Sequence, residues 1–315
     1  MPVLLSRFPD NSMPSPSARI TRPIVTGAGG FVGSALCSRL QEHGRIALSG
    51  AHWREALAAV DFRGATVFHL AARVHQRGAR EADYEADNTG KTLALAEAAA
   101  ATGAARFVFA STVKVFGEES RGQPFFEGDE PDPRDAYARS KWQAEKALGA
   151  VAQRTALETV VLRIPLTYGR AATGNFRSLV RLADSGWWLP FAAIDNRRSL
   201  VHVDDLVEAL VLAACHPAAP GRTFVVAHPE AASTPRLVGA IRAALARPAR
   251  LFRLPPALLE AGASLAGMGS QVRRLTRSLE ADPSALIRDL GWAPRFGLEA
   301  GIEASLRDWP QGTRA

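Results

Sequence analysis

The chain has 315 residues, 47% hydrophobic and 22% charged, enough to bury a large core and unlike the composition of a disordered chain. No apolar run approaches the ~18 residues of a membrane span, and the net charge of +7 comes with no basic block. That charge is nearly all dispersed arginine, with lysine only at Lys91, Lys114, Lys141 and Lys146, so it suits an anionic cofactor and substrate better than nucleic acid.

Residues 1–22 are rich in Ser and Pro, lack the long apolar stretch of a secretory signal, and read as a disordered extension in which Met13 is an alternative start. From residue 23 the chain alternates short apolar strands with helical stretches, the signature of a parallel sheet covered by helices. A clipped strand at 23–26 is followed by a helix over 31–43, a short strand at 46–48, a helix at 54–60 and an apolar strand at 66–71. An Ala/Leu-rich helix at 89–101 stops at Gly103, and the next strand covers 106–111. An acidic, Gly/Pro-rich loop at 117–135 precedes a helix over 136–152, and a buried strand at 159–164 is ended by Pro165. Beyond Tyr168 the alternation weakens, with helices near 178–185, 204–215, 235–246 and 256–266 and one strand at 223–226. The expected fold is α/β, a Rossmann-type doubly wound parallel sheet with a smaller mixed C-terminal lobe. The cofactor-binding part spans 23–168 and is shortened around 45–65; the substrate-binding lobe is 169–315, with about 198–229 returning to the first part.

Three features carry chemistry. TGAGGFVG places Gly27, Gly30 and Gly33 at three-residue spacing between a strand and a helix, where backbone N–H groups can approach a pyrophosphate at a helix N-terminus. Tyr137 and Lys141 stand four apart on one helix, so both side chains leave the same face, and a nearby ammonium should lower the phenol pKa. Thr112 ends a strand at the carboxyl edge, where open α/β sheets bind ligands. The charged residue expected to end the second strand is missing: Ser49 and Gly50 follow 46–48, and 44–66 has room for only one strand and one helix. Cys37 and Cys215 fall in helices without metal-ligand spacing and read as reduced thiols, and Asp204 and Asp205 read as helix caps.

TGAGGFVG, HLAA at 69–72, Asn88, STVKVFG at 111–117, the Tyr137/Lys141 pair and RRSLVHVDDL at 197–206 occur together in this order. The series resembles the extended short-chain dehydrogenases, and within them the NAD-dependent epimerase/dehydratase family acting on sugar nucleotides, over about 23–292. The resemblance implies NAD or NADP as cofactor, Tyr137 as acid/base, Lys141 as its partner and Thr112 as the hydroxyl that orients the substrate oxygen. It implies a cofactor groove made by Gly27, Gly30, Phe31, Val32, Gly33, Leu70, Ala71, Ala72, Asn88, Ser111, Tyr137, Lys141 and Pro165. Substrate contacts would come from Thr112, Lys114, Asn175 and Arg198, with no metal. The implied reaction is oxidoreduction at C4 of a nucleotide-diphosphate sugar, a UDP-sugar above all, of the 4-epimerase type. Reduction of a UDP-4-keto-6-deoxy-hexosamine for surface polysaccharide is the alternative, and a non-catalytic dinucleotide sensor the reading from another class. Val113 and Lys114 stand where the family's dehydratases carry an Asp-Glu pair, and Leu166 stands where 4-epimerases often carry Asn. A cytoplasmic homodimer, paired through the helices at 89–101 and 136–152, with no membrane or nucleic-acid partner, completes the implied picture.

Overall fold

The computed structural model describes residues 20, 22–50, 52–74 and 78–310, so the reading of the N-terminal extension lies outside the described residues. The chain runs β1 (Pro23–Thr26), α1 (Phe31–Leu40), β2 (Gly44–Ile46), α2 (Trp53–Ala58), β3 (Thr66–His69) and α3 (Glu81–Tyr84). A π-helical turn, Glu85–Gly90, leads into α4 (Lys91–Ala101) and β4 (Arg106–Thr112). A 3₁₀ turn, Val113–Phe116, precedes α5 (Ala136–Arg154), β5 (Glu158–Ile164), β6 (Leu166–Tyr168), α6 (Gly174–Asp184), β7 (Leu200–His202), α7 (Val203–Cys215) and β8 (Arg222–Val225). The C-terminal helices are α8 (Thr234–Ala244), α9 (Pro256–Leu265), α10 (Gly269–Thr276), α11 (Ser284–Leu290) and α12 (Leu298–Leu306).

Six strands form one all-parallel sheet in the order β2-β1-β3-β4-β5-β8, and β6 and β7 pair in a second, two-stranded sheet. Strand alternation dictates two covered faces. Val25, Phe68, Val108, Val160 and Leu162 point to one side and pack with Leu36 of α1 and Leu206, Leu210 and Ala213 of α7. Ile24, Val67, Phe107, Phe109 and Val161 point to the other and pack with Leu57 of α2, Leu95 and Ala99 of α4 and Leu148 of α5. A third core, built on Phe176, Val180, Phe191, Val238, Ile241 and Ile302, holds the C-terminal region together. β8 pairs with β5, and α7 packs in the first core with Leu206, Leu210 and Ala213.

Several boundaries differ from the sequence expectation for local reasons. α1 stops at Leu40 rather than 43 because Gln41 takes φ 58° and breaks the turn. The second strand is 44–46, two residues earlier than expected, since its register is set by pairing Ile24 with Gly44 and Thr26 with Ile46. β3 ends at His69, two residues earlier than expected, and Leu70 still donates its N–H to Thr26 O at 3.2 Å. α2 covers 53–58 rather than 54–60. α6 begins at Gly174, not 178, so Asn175 lies in a helix rather than a loop. The cap of α7 is His202, whose Nδ1 accepts from the Asp204 N–H. Asp205 is no cap: it is buried in the helix and accepts the backbone N–H groups of Arg295 and Phe296.

In the six-stranded order 3-2-1-4-5-6 a further strand would flank the second. Here the chain passes from β2 through α2 directly to β3 on the far side of β1, so β2 is the sheet edge. The C-terminal ends of β2, β1 and β3 therefore open side by side on one rim.

Candidate active site

The turn after β1 is fixed by contacts that only glycine allows. Gly27 has φ +72°, and a Cβ there would lie 2.7 Å from the Ala71 backbone nitrogen. A Cβ on Gly33 would lie 2.0 Å from the Gly27 carbonyl oxygen, so α1 can seat against the turn only without a side chain at that position. Gly30 donates its N–H to Gly27 O at 2.9 Å and brings no capping side chain to α1, which leaves the first helical N–H groups available to an anion. Beside this turn lies a cleft of about 620 Å³ lined by Gly27–Gly30, the rim residues Arg45–Ser49, Leu70–Arg73, Asp87 and Lys91. A close-approach turn, a helix N-terminus and a groove across three strand ends fit a dinucleotide.

His69 braces this cleft from beneath. Its Nδ1 meets Thr26 Oγ1 at 2.6 Å and its Nε2 meets Thr92 Oγ1 at 2.8 Å. The Thr92 hydroxyl donates onward to Asn88 O at 2.5 Å, so Nε2 must be the ring donor and Nδ1 the acceptor. Thr26 Oγ1 in turn accepts the Ala71 N–H at 3.3 Å. The chain requires a neutral imidazole, and burial, aided by the charge of Lys141, pushes the His69 pKa down to about 3.

Leu70, Ala71 and Ala72 line the cleft as expected. Other expected groove residues act differently. The amide of Asn88 is spent on the backbone of Arg73, at 2.7 and 3.0 Å, and on Ser140 Oγ at 2.9 Å, so it shapes the wall through Arg73 and α5. The Ser111 hydroxyl is bonded to buried Glu145, which pairs with Arg163 at 2.8 Å. Phe31 and Val32 pack into the third and first cores, and Pro165 is buried between β5 and β6. These residues build the site without lining the cleft, because their side chains have protein partners.

The reactive centre forms where β4 meets α5. Asp135 caps α5 by accepting the Ala138 N–H at 2.6 Å, which fixes the first turn carrying Tyr137. The Thr112 side chain lies close enough to the phenol to act on its pKa. Thr112 Oγ1 also accepts the Lys114 N–H at 3.2 Å, which leaves its own hydrogen for the phenol oxygen. One turn along, Lys141 is 2% exposed, and its Nζ lies 3.9 Å from the centre of the Phe109 ring. Burial drops the Lys141 pKa to about 7, opposed by the charge of Glu145.

The expectation that Lys141 makes the phenol acidic is corrected here. Burial pushes the Tyr137 pKa up to about 12, the charge of Asp135 adds to the rise, and the Thr112 side chain is what opposes it. Lys141 does not offset these effects, and Asp135 sits only two residues away.

Lys114, expected at the substrate, is held in ion pairs with Asp135 and, at 2.7 Å, with Glu118. Arg198 is seated by its Nη1 donating to Arg277 O at 2.9 Å. Burial lowers its pKa to about 10; the charge of Glu118 works against that, and a second guanidinium, Arg274, adds to it. Sequence reading missed Arg274: α10 carries it, and nothing in a lone Arg-Arg dipeptide signals proximity to a residue 76 positions earlier. Asn175 stands exposed in the first turn of α6, with no hydrogen bond to the described residues. No cluster of His, Cys, Asp or Glu that could hold a metal occurs among the described residues, and none of their helices is long and apolar enough to cross a membrane.

The family model of NAD dependent epimerases/dehydratases matches residues 24–227. A UDP-glucose 4-epimerase of Vibrio cholerae is 34% identical over 313 residues, covering 91% of this chain and 95% of that protein. Among solved structures, RMD of Pseudomonas aeruginosa complexed with NADPH superposes with a TM-score of 0.74 at 21% identity, over 92% of this chain and all of that one. A UDP-glucose 4-epimerase of Thermotoga maritima with UDP-glucose gives 0.70 at 20% identity, over 91% and 97%.

Proposed function

Because the chain belongs to the NAD-dependent epimerase/dehydratase family, whose members are NAD(P)-dependent sugar-nucleotide epimerases and reductases, we propose that it inverts C4 of a UDP-sugar. The observation that carries this reading is that Tyr137 and buried Lys141 stand one helical turn apart on α5, beside Thr112 at the carboxyl end of β4.

The cofactor, when bound with its pyrophosphate at Gly27–Gly33, supplies the acceptor and donor of hydride. Tyr137 takes the proton from the C4 hydroxyl and returns it, and Thr112 holds that oxygen in line. With a phenol pKa of about 12 in the protein alone, the proton resides on Tyr137 until ligands alter its surroundings. Lys141, with a pKa near 7, can hold or release a proton beside the phenol at neutral pH. Arg198 and Arg274 are the anchors for the diphosphate, and Asn175 is a further contact at the edge of the substrate lobe 169–315. Lys114 keeps Asp135 and Glu118 compensated next to this anionic substrate. Dimerisation through α4 and α5 and residence in the cytoplasm belong to the same reading.

Purified protein offered UDP-glucose, UDP-galactose and their N-acetylated forms should interconvert at least one 4-epimer pair without net consumption of cofactor. Stoichiometric oxidation of NADPH by a UDP-4-keto sugar would replace the epimerase with the reductase reading. Cofactor binding with no turnover of any of these would leave a sensor.

A further inference from the structure

We propose that the adenosine end of the cleft is built for a 2′-phosphorylated dinucleotide, NADP(H) in preference to NAD(H), with Arg45 as the residue that reads the phosphate. The inference rests on the cleft being a dinucleotide site, as argued above. In such folds the adenosine ribose lies over the end of the second strand. A carboxylate there accepts from the ribose hydroxyls of NAD, and an arginine there accommodates the 2′-phosphate.

The rim at the end of β2 consists of Arg45, Ile46, Ala47, Leu48 and Ser49: a guanidinium and a hydroxyl, with no carboxylate. Asp87 is the one carboxylate lining the cleft among the described residues, and it is already committed. It accepts from Arg73 Nε at 2.6 Å and pairs with Lys91 Nζ at 2.5 Å. An acceptor that satisfies two cations has little capacity left for a sugar hydroxyl. Glu55, on α2, pairs with His52 at 3.4 Å and does not line the cleft.

Arg45, by contrast, has no carboxylate partner among the described residues. Its Nε donates to His43 Nε2 at 3.0 Å. That contact holds the stem and leaves donors of the fork for an anion. Among the described residues no strand pairs with β2 on its outer side, so the sheet ends at this rim.

The test is direct binding to the full-length protein, cleared of co-purified nucleotide, by calorimetry with NADP⁺, NAD⁺, 2′,5′-ADP and 5′-AMP. NADP⁺ should bind at least about tenfold tighter than NAD⁺, 2′,5′-ADP should exceed 5′-AMP by a similar factor, and both gaps should narrow as salt is raised. Arg45→Ala should bring both gaps close to unity, and Arg45→Glu should invert them. Equal or tighter binding of NAD⁺ overturns the preference while the dinucleotide site itself stands. A gap that survives in both Arg45 variants overturns the role of Arg45. Failure of all four ligands to bind removes the dinucleotide reading on which the inference rests.

Discussion

The Lys141 ammonium lies 3.9 Å from the centre of the Phe109 ring, and Phe109 stacks in turn on His69, their centroids 5.6 Å apart. A titratable amine on α5 is thereby set on an aromatic floor rather than in water. The same burial that keeps His69 neutral strips Lys141 of much of its proton affinity.

Lys141 should imprint a pH dependence on stability. Its folded-state pKa of about 7 lies below the ordinary 10.5, so between those values the unfolded chain binds the extra proton. Its contribution therefore makes the protein more stable as pH rises through that window, by up to a few kcal/mol. Urea denaturation at pH 6.5 and 9.5 should show the gain in the wild type and lose it in Lys141→Met.

Tyr137→Phe should lower kcat by about 10²- to 10⁴-fold while UDP and cofactor affinities stay within a few-fold. Steady-state kinetics with calorimetric binding checks this, and wild-type turnover in the variant would end the acid/base assignment.

Asp135→Asn keeps an N-cap acceptor for Ala138 but removes the charge that raises the Tyr137 phenol. The phenol pKa should fall, with Lys114 still paired to Glu118. Difference spectra near 295 nm against Tyr137→Phe, titrated with pH, read the shift directly. An unchanged or higher value contradicts it.

Arg163 and Glu145 form an ion pair at 2.8 Å with both side chains 5% exposed. Removing either partner alone strands a buried charge and should cost about 3–5 kcal/mol. The double variant Glu145→Met with Arg163→Met should cost less than the sum. Chemical denaturation of the four members of this cycle measures the coupling.

Gly33→Ala and Gly29→Ala should behave oppositely. The first puts a methyl 2.0 Å from a carbonyl oxygen, so α1 must back away from the turn, with loss of stability and of cofactor binding. The second meets nothing within 4 Å, so its melting temperature should stay close to wild type.

The amino-acid pattern alone announced the sheet and the shared helix face of Tyr137 and Lys141. Apolar strands such as 106–112 and 158–164 are buried on both faces, so their runs announce themselves, and a strand–glycine–helix junction has few alternatives to the turn seen at Gly27–Gly33. A Tyr and a Lys four apart on a helix must share a face whatever surrounds them. Tertiary structure decided everything that depends on a partner distant in sequence. Lys114 looked free for substrate until Asp135 and Glu118 were placed beside it; Ser111 and Asn88 looked like cofactor ligands until Glu145 and Ser140 took their hydrogen bonds. The phenol pKa went the opposite way from its helical neighbour's expected pull, because desolvation and Asp135 raise it and Lys141 does not offset them. Local spacing fixes direction along one element, but fields and hydrogen-bond partners are set by whatever folding brings within a few ångströms.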